Sequence, residues 1–183
     1  MATLHATTVQ ALQSNKLSLL TTWIESLEAS GATRNVKEAD LKQQANDFLN
    51  TLIAALEQGG SQNVNQENWA ETRVLLEKLS HSRALVGQDS QQTASFIFAL
   101  KGPLFALLQR EYAEQPAQLA EQLWEISELL DALGMHTIRT FQKSRELVIK
   151  RQQEELLELS TPCLLYTSPS PRDQRGSRMP SSA

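Results

Sequence analysis

Cysteine, glycine and proline are scarce in this sequence. The single cysteine, Cys163, excludes an internal disulfide and any metal site built from several cysteines. Only seven glycines and six prolines occur in 183 residues, and four of the prolines lie from Pro162 onward. The residues before them are rich in Leu, Ala, Gln and Glu, which favour helix. This composition predicts an all-α fold around one hydrophobic core.

An excess of basic charge and long apolar runs are also missing. Residues 1–162 carry 14 Lys and Arg against 20 Asp and Glu, which argues against nucleic-acid binding because clustered cations must neutralise the phosphates. No apolar stretch is long enough to span a membrane, and the N-terminus lacks the pattern of a signal peptide. We therefore expect a protein of the cytoplasm that binds neither nucleic acid nor membrane.

Apolar residues recur at intervals of three or four along the chain and predict five helices. Gly31, Gly59-Gly60 and Gly87 mark the ends of the first three helices. The predicted boundaries are from the capping-box pattern Thr7–Gln10 to Gly31, from Asn35–Glu38 to Gly59, from Trp69 to Gly87, from Asp89 or Ser90 to Tyr112, and from Pro116 to Ser160. Gly102-Pro103 predicts a kink in the fourth helix, which serves either as a hinge in a ligand pocket or as a packing feature.

The fifth predicted helix carries a seam for a partner helix. Leu123, Ile126, Leu130 and Leu133 alternate at intervals of three and four, and we expect them to be divided between the domain core and the other subunit of a parallel homodimer. Charged and amide side chains dominate residues 142–155. The predicted organisation is a helical domain at 1–140, a helical linker at 141–160, and a remainder at 161–183.

Three segments carry a resemblance to a known family. They are Leu20-Thr-Thr-Trp-Ile-Glu, Leu79-Ser-His-Ser-Arg-Ala-Leu-Val-Gly87 and Phe96-Ile-Phe-Ala-Leu-Lys101. In this order they resemble the N-terminal domain of RsbR-type stressosome proteins, the RsbT co-antagonists of the RsbRD N-terminal family, over residues 7–160. Glu154-Glu-Leu-Leu-Glu-Leu-Ser-Thr-Pro162 is similar to the junction that leads into the first strand of a STAS domain.

The resemblance implies a globin-like fold, usually without haem, that dimerises and passes signals along its last helix. In that family a STAS domain assembles with RsbS-type scaffold proteins, is phosphorylated on threonine by the kinase RsbT, and controls release of that kinase. We expect this chain to stop where its STAS domain should begin. The phosphoacceptor threonines of the family lie beyond that point, so they have no counterpart here, and Thr161 is not one of them.

Residues 163–183 have a different composition, with repeated Ser, Pro and Arg. They show neither strand alternation nor a helical face, which predicts a disordered segment. They also resemble translated adapter sequence joined to an incomplete read, so we expect a non-native tail. A natural Ser/Pro/Arg tail with a recognition motif is the alternative.

Catalytic patterns are absent from the sequence, so we expect no enzyme. His5, His81 and His136 lie on different predicted elements, without a nucleophile or metal-ligand spacing to join them. Glu121, Glu125 and Glu128 recur at helical spacing, but no Glu-x-x-His pattern accompanies them, and this favours a solvated face over a metal site.

Two alternatives to a sensor without cofactor remain open. One is a haem-based gas or redox sensor in which His81, near the end of the third predicted helix, ligates the iron; its spacing to Gly87 differs from the usual pattern of sensor globins. His136 is a second histidine considered for that role. The other alternative is a purely structural helical dimerisation module.

Overall fold

The chain folds as helices connected by short loops. The computed structural model describes residues 4–60 and 62–167, with side chains described as far as residue 161. Its elements are α1 (Ala6–Ser14), α2 (Lys16–Ala29), α3 (Glu38–Glu57), a 3₁₀ turn (Glu67–Trp69), α4 (Ala70–Leu85), α5 (Ser90–Phe98), α6 (Lys101–Glu111) and α7 (Pro116–Thr167). The described residues contain no strand, which confirms the all-α prediction and is consistent with a globin-like domain.

Among the described residues, seven α-helices replace the five predicted, because two of the predicted helices are broken. The first break lies at Asn15, whose side-chain Nδ2 and backbone N–H both donate to the carbonyl of Ala11, at 2.9 and 3.0 Å. An asparagine that bonds to the local backbone competes with the regular helical pattern, so α1 ends there and α2 begins. The predicted capping box was also wrong, because Thr7 lies inside α1 and His5 precedes it without a side-chain cap.

The second break lies at Ala99 and Leu100, upstream of the predicted kink at Gly102-Pro103. Pro103 has no N–H to donate one turn back, and its ring would clash with the preceding turn of a continuous helix. Helix α5 instead ends in a turn, in which the Leu100 N–H donates a hydrogen bond to the Ile97 carbonyl, and α6 begins at Lys101. Pro103 thereby lies in the first turn of α6, where a missing N–H is tolerated.

The other helix boundaries confirm the sequence signals. Gly59 and Gly87 follow α3 and α4 with φ of 78° and 76°, a left-handed conformation that glycine adopts without steric cost. Asp89 caps α5 by accepting the Gln92 N–H at 2.7 Å, while the Gln92 side chain accepts the Asp89 N–H at 3.2 Å. This reciprocal pair is a capping box, and it makes Asp89 the cap of the two residues, Asp89 and Ser90, that the sequence offered for the start of this helix.

An aromatic cluster of Trp23, Phe48 and Phe96 occupies the hydrophobic core. The Trp23 ring centroid lies 4.8 Å from that of Phe96 and 5.6 Å from that of Phe48, and the Phe48 and Phe96 centroids lie 6.0 Å apart. Trp23 also donates its indole N–H to the carbonyl of Phe96 at 3.0 Å. The cluster therefore joins α2, α3 and α5, and its one polar donor is satisfied.

The structure divides into two compact units, residues 1–145 and residues 146–183. The first unit holds the core just described, including the residues of α7 that pack into it. In the second unit the side chains of residues 149–161 are all exposed. Helix α7 continues to Thr167, beyond the predicted end at Ser160, so the first residues of the segment predicted to be disordered are helical. Leu164 and Leu165 are good helix formers, which the composition argument overlooked. The rest of that segment, 168–183, lies outside the described residues.

Candidate signalling surface on the last helix

Helix α7 buries one face completely within the first unit. Ile126, Leu130 and Leu133 are fully buried in the core of their own chain, and Leu123 is partly buried and packed against that core. From the sequence we predicted that these four residues are divided between the core and a partner subunit. In the structure all four contribute to the core of one chain, and their role in a dimer interface remains a prediction.

A different face of α7 exposes large apolar side chains. Trp124 is 65% exposed and Met135 is 47% exposed, and Glu128 and Asp131 lie between them at helical spacing. Sequence reasoning missed this face because it followed the more regular leucine stripe. A tryptophan next to the predicted seam, between Leu123 and Glu125, was the available signal.

Charged and aromatic side chains border this exposed face. Lys101 of α6 forms an ion pair with Asp131 at 2.6 Å and donates to the Ser127 hydroxyl at 3.2 Å. Its ammonium group also lies 5.7 Å from the centroid of the Phe98 ring, within the range of a cation–π interaction. These contacts fix the start of α6 beside the face that carries Trp124 and Met135.

Gly134 allows a close approach between α7 and the Phe98 side chain. A Cβ atom at this position would lie 2.4 Å from two carbons of the Phe98 ring, which is too close for any side chain. The absence of a Cβ therefore gives the Phe98 ring room to lie against the backbone of α7. The packing of α7 against the α5–α6 region depends on this small residue.

The contact between α4 and α7 is polar at its far end. The Ser80 hydroxyl lies 3.4 Å from the carbonyl of Thr137 and 3.3 Å from the hydroxyl of Thr140. These are long hydrogen bonds, and both threonine hydroxyls also bond to carbonyls of their own helix. Hydroxyl groups hold the helices together here, where Leu and Ile side chains do so earlier along α7.

His136 lies beside this polar contact and is half-buried. Its Nε2 atom is shut off from solvent and has no hydrogen-bond partner. Burial lowers the pKa of His136 below its ordinary value; Arg73 and Arg139 lower it further, and Glu77 opposes them. The histidine is therefore in its neutral form near neutral pH.

His81, the histidine considered as a haem ligand, lies on the exposed side of α4. A proximal ligand must point into a pocket that encloses the porphyrin. Arg83, two residues further along α4, is buried and donates to Gln44 Oε1 of α3 at 2.6 Å. The core also contains the packed rings of Trp23, Phe48 and Phe96. These residues do not fit a haem site at His81.

A buried hydrogen-bond network ties α1 to α6 and α7. The Thr8 hydroxyl donates to Gln122 Oε1 at 2.7 Å and lies 2.8 Å from the Tyr112 hydroxyl. The backbone N–H of His5 also donates to Gln122 Oε1, at 2.8 Å. Thr8, Tyr112 and Gln122 are all buried, and the Nε2 of Gln122 is left without a partner. The network anchors the N-terminal helix to the start of α7.

Glu121, Glu125 and Glu128 of α7 do not share one environment. Glu121 is exposed and lies 3.9 Å from the His5 ring, whereas Glu125 is buried and accepts a hydrogen bond from Gln62. The prediction that all three form a solvated face was therefore wrong for Glu125. Within residues 4–60 and 62–161, no group of three His, Cys, Asp or Glu side chains could hold a metal ion.

A groove of about 470 Å³ lies on the surface between α3 and α4. Asp47 and Asn50 line one side, and Glu71, Val74 and Lys78 line the other. Its volume is in the range of small-molecule sites, but it is a wide opening on the surface without a buried polar group pointing into it.

In the part of the chain that the structure describes, no helix is long and apolar enough to cross a membrane.

Comparison with known proteins gives one result. The model of the RsbT co-antagonist protein rsbRD N-terminal domain matches residues 18–156. The chain belongs to this family. No curated protein and no solved structure matches the chain.

The RsbRD N-terminal match covers α2 to α6 and most of α7. It confirms the resemblance drawn from the sequence, and it indicates an RsbR-type sensory domain of the stressosome, which is a regulatory family. Helix α1 precedes the matched residues. The exposed face with Trp124 and Met135, the Gly134 contact and His136 all lie within them.

Proposed function

We propose that this chain is the sensory part of an RsbR-type stressosome protein in the cytoplasm, acting without catalysis. Its last helix would pass a signal to a STAS domain that assembles with RsbS-type scaffold proteins and controls an RsbT-type kinase. The family match over residues 18–156 carries this proposal. The absence of a catalytic grouping in the sequence is consistent with it.

The proposal includes a homodimer formed by the exposed face of α7. Trp124 and Met135 are large apolar side chains in water, and burying them against a second copy would stabilise the pair. Leu130 is fully buried in the core of its own chain, which makes the exposed side chains of Trp124 and Met135 the more accessible surface for a partner. Two packings of the α7 pair that differ in affinity for a ligand would transmit its binding.

The first experiment measures the mass of the 183-residue chain by light scattering at micromolar concentration. We expect a dimer for the wild type and a monomer for Trp124→Glu. Circular dichroism should show the same helical content for both. Leu17→Glu is the matched control because Leu17 is an exposed leucine of α2, 79% accessible, and should remain dimeric. Leu130→Glu is unsuitable because a charge in the core would unfold the domain.

A wild-type monomer, or a Trp124→Glu variant that stays dimeric, would contradict the assigned interface. A dimer that shows no change in α7 with any ligand or stress condition would favour the purely structural module. Transfer of the signal is tested by adding an RsbR-type STAS domain after α7 and measuring release of the RsbT-type kinase with and without Trp124→Glu.

A further inference from the structure

His136 occupies a position where a neutral ring fits and a protonated ring does not. A neutral imidazole can carry its proton on Nδ1 and leave Nε2 bare, whereas an imidazolium must place an N–H at both nitrogens. In this structure Nε2 is buried without an acceptor. A proton added there would have no hydrogen bond, and a buried donor without a partner is costly.

Charges of both signs lie near His136. Glu77 of α4 supports the positive form, whereas Arg73 of α4 and Arg139 of α7 act against it, and burial of the ring is the largest cause of its lowered pKa. Arg73 is held in place, because its Nη1 donates to the carbonyls of Val64 and Gln66, both at 2.7 Å. This guanidinium cannot easily move away when a second positive charge forms beside it.

The hydrogen bonds between α4 and α7 next to His136 are long. Thr140, one turn further along α7, contacts Ser80 of α4 at 3.3 Å, and Thr137 accepts from the same hydroxyl at 3.4 Å. Both contacts are near the upper limit for a hydrogen bond. A small separation of the helices at this point would break these long hydrogen bonds at low cost.

We propose that protonation of His136 loosens the packing of α7 against α4, so that acidification changes the helix that carries the signal. Its role as an input rests on the proposed function; the loosening itself is a property of this chain. Opening the interface gives the ring access to water and to acceptors, so the open state takes up the proton more readily than the closed state.

The direction of the pH dependence follows from the lowered pKa of His136. The closed packing is fully stable above the ordinary histidine pKa of about 6.5, where both states are neutral. It weakens as the pH falls below that value, because the open state then binds more protons. The opening equilibrium can rise by at most about tenfold per pH unit, and we expect about three- to fivefold at pH ~5.5, since the ring is only half-buried.

Hydrogen exchange of the backbone amides of residues 133–141 tests the proposal. The 183-residue chain is compared at about pH 7.5 and about pH 5.5, with rates corrected for intrinsic exchange. We expect the wild type to lose protection in acid, and His136→Gln to keep the same protection at both values. His81→Gln is the matched control, because this exposed histidine of α4 should leave the wild-type loss intact.

Two charge variants test the mechanism by a titration of the His136 ring in NMR spectra. Arg139→Gln removes a repelling charge and should raise the pKa of His136, whereas Glu77→Gln removes the attracting charge and should lower it. Acid-induced loosening that persists in His136→Gln would overturn the proposal, as would a His136 pKa that neither charge variant moves. Failure of the dimer test at Trp124 would leave these results unaffected, so the two proposals fail separately.

Discussion

Single residues decide how closely α7 approaches the rest of the first unit, and Gly134 is the clearest example. We expect Gly134→Ala to destabilise the protein by about 1–3 kcal/mol, because its Cβ would meet the Phe98 ring at 2.4 Å. The free energy of unfolding in urea measures the effect.

Gly102→Ala is the matched control for this substitution. Gly102 also lies in a helix, and a Cβ there would meet nothing within 4 Å. This variant should be neutral or stabilised by up to about 1 kcal/mol through the gain in helix propensity. Equal stability of the two variants would mean that the Phe98 ring moves away at little cost.

At the residue scale, the sequence predicted which side chains are buried better than it predicted what they contact. The stripe of Ile126, Leu130 and Leu133 was identified from periodicity, and the structure buries all three. Their partners depend on which helix packs against that face, and periodicity holds no information about this. The same limit explains why Trp124 was missed and why the environment of His136 could not be predicted.

At the scale of single elements, α1 depends on a polar anchor within the core. Thr8→Val keeps the shape of the side chain but removes the bonds to Gln122 and Tyr112. Leaving those groups without their partner should cost about 1–3 kcal/mol. We expect faster hydrogen exchange in α1 and a lower free energy of unfolding.

Thr7→Val provides the control for the α1 anchor. Thr7 is the neighbouring threonine on the same helix, and its side chain is exposed. Threonine and valine are both β-branched and have similar helix propensities, so the difference between the two variants reports the buried bonds. If both variants lose the same stability, the network around Gln122 contributes nothing beyond helix propensity.

Helix boundaries were predictable where a backbone rule fixes them. Gly59, Gly87 and Asp89 stand at helix ends because positive φ and capping bonds select those residues. The breaks at Asn15 and at Ala99–Leu100 were missed for a different reason. Asparagine is tolerated inside helices, and a proline can bend a helix as well as end it, so the residue type alone does not predict a break.

At the scale of the whole molecule, the filled core bears on what the domain can sense. The globin-like fold left haem open as an alternative ligand, with His81 as the candidate iron-binding residue. In the structure His81 is exposed and the rings of Trp23, Phe48 and Phe96 are packed together in the core. A porphyrin would have to displace these aromatic side chains, and burial of each contributes strongly to stability.

We therefore expect no stoichiometric Soret band when hemin is added to the purified chain, and the same weak spectrum for His81→Ala. His136→Ala, tested in parallel, covers the second histidine considered as a ligand. A specific band that His81→Ala abolishes would show that α4 rotates to turn this side chain inward, and the domain would then be a haem-based sensor. Without such a band, we expect the proposed signal to act on α7 without haem, and the exposed Trp124 face and the unpaired Nε2 of His136 are the positions at which we propose that a partner or a proton acts.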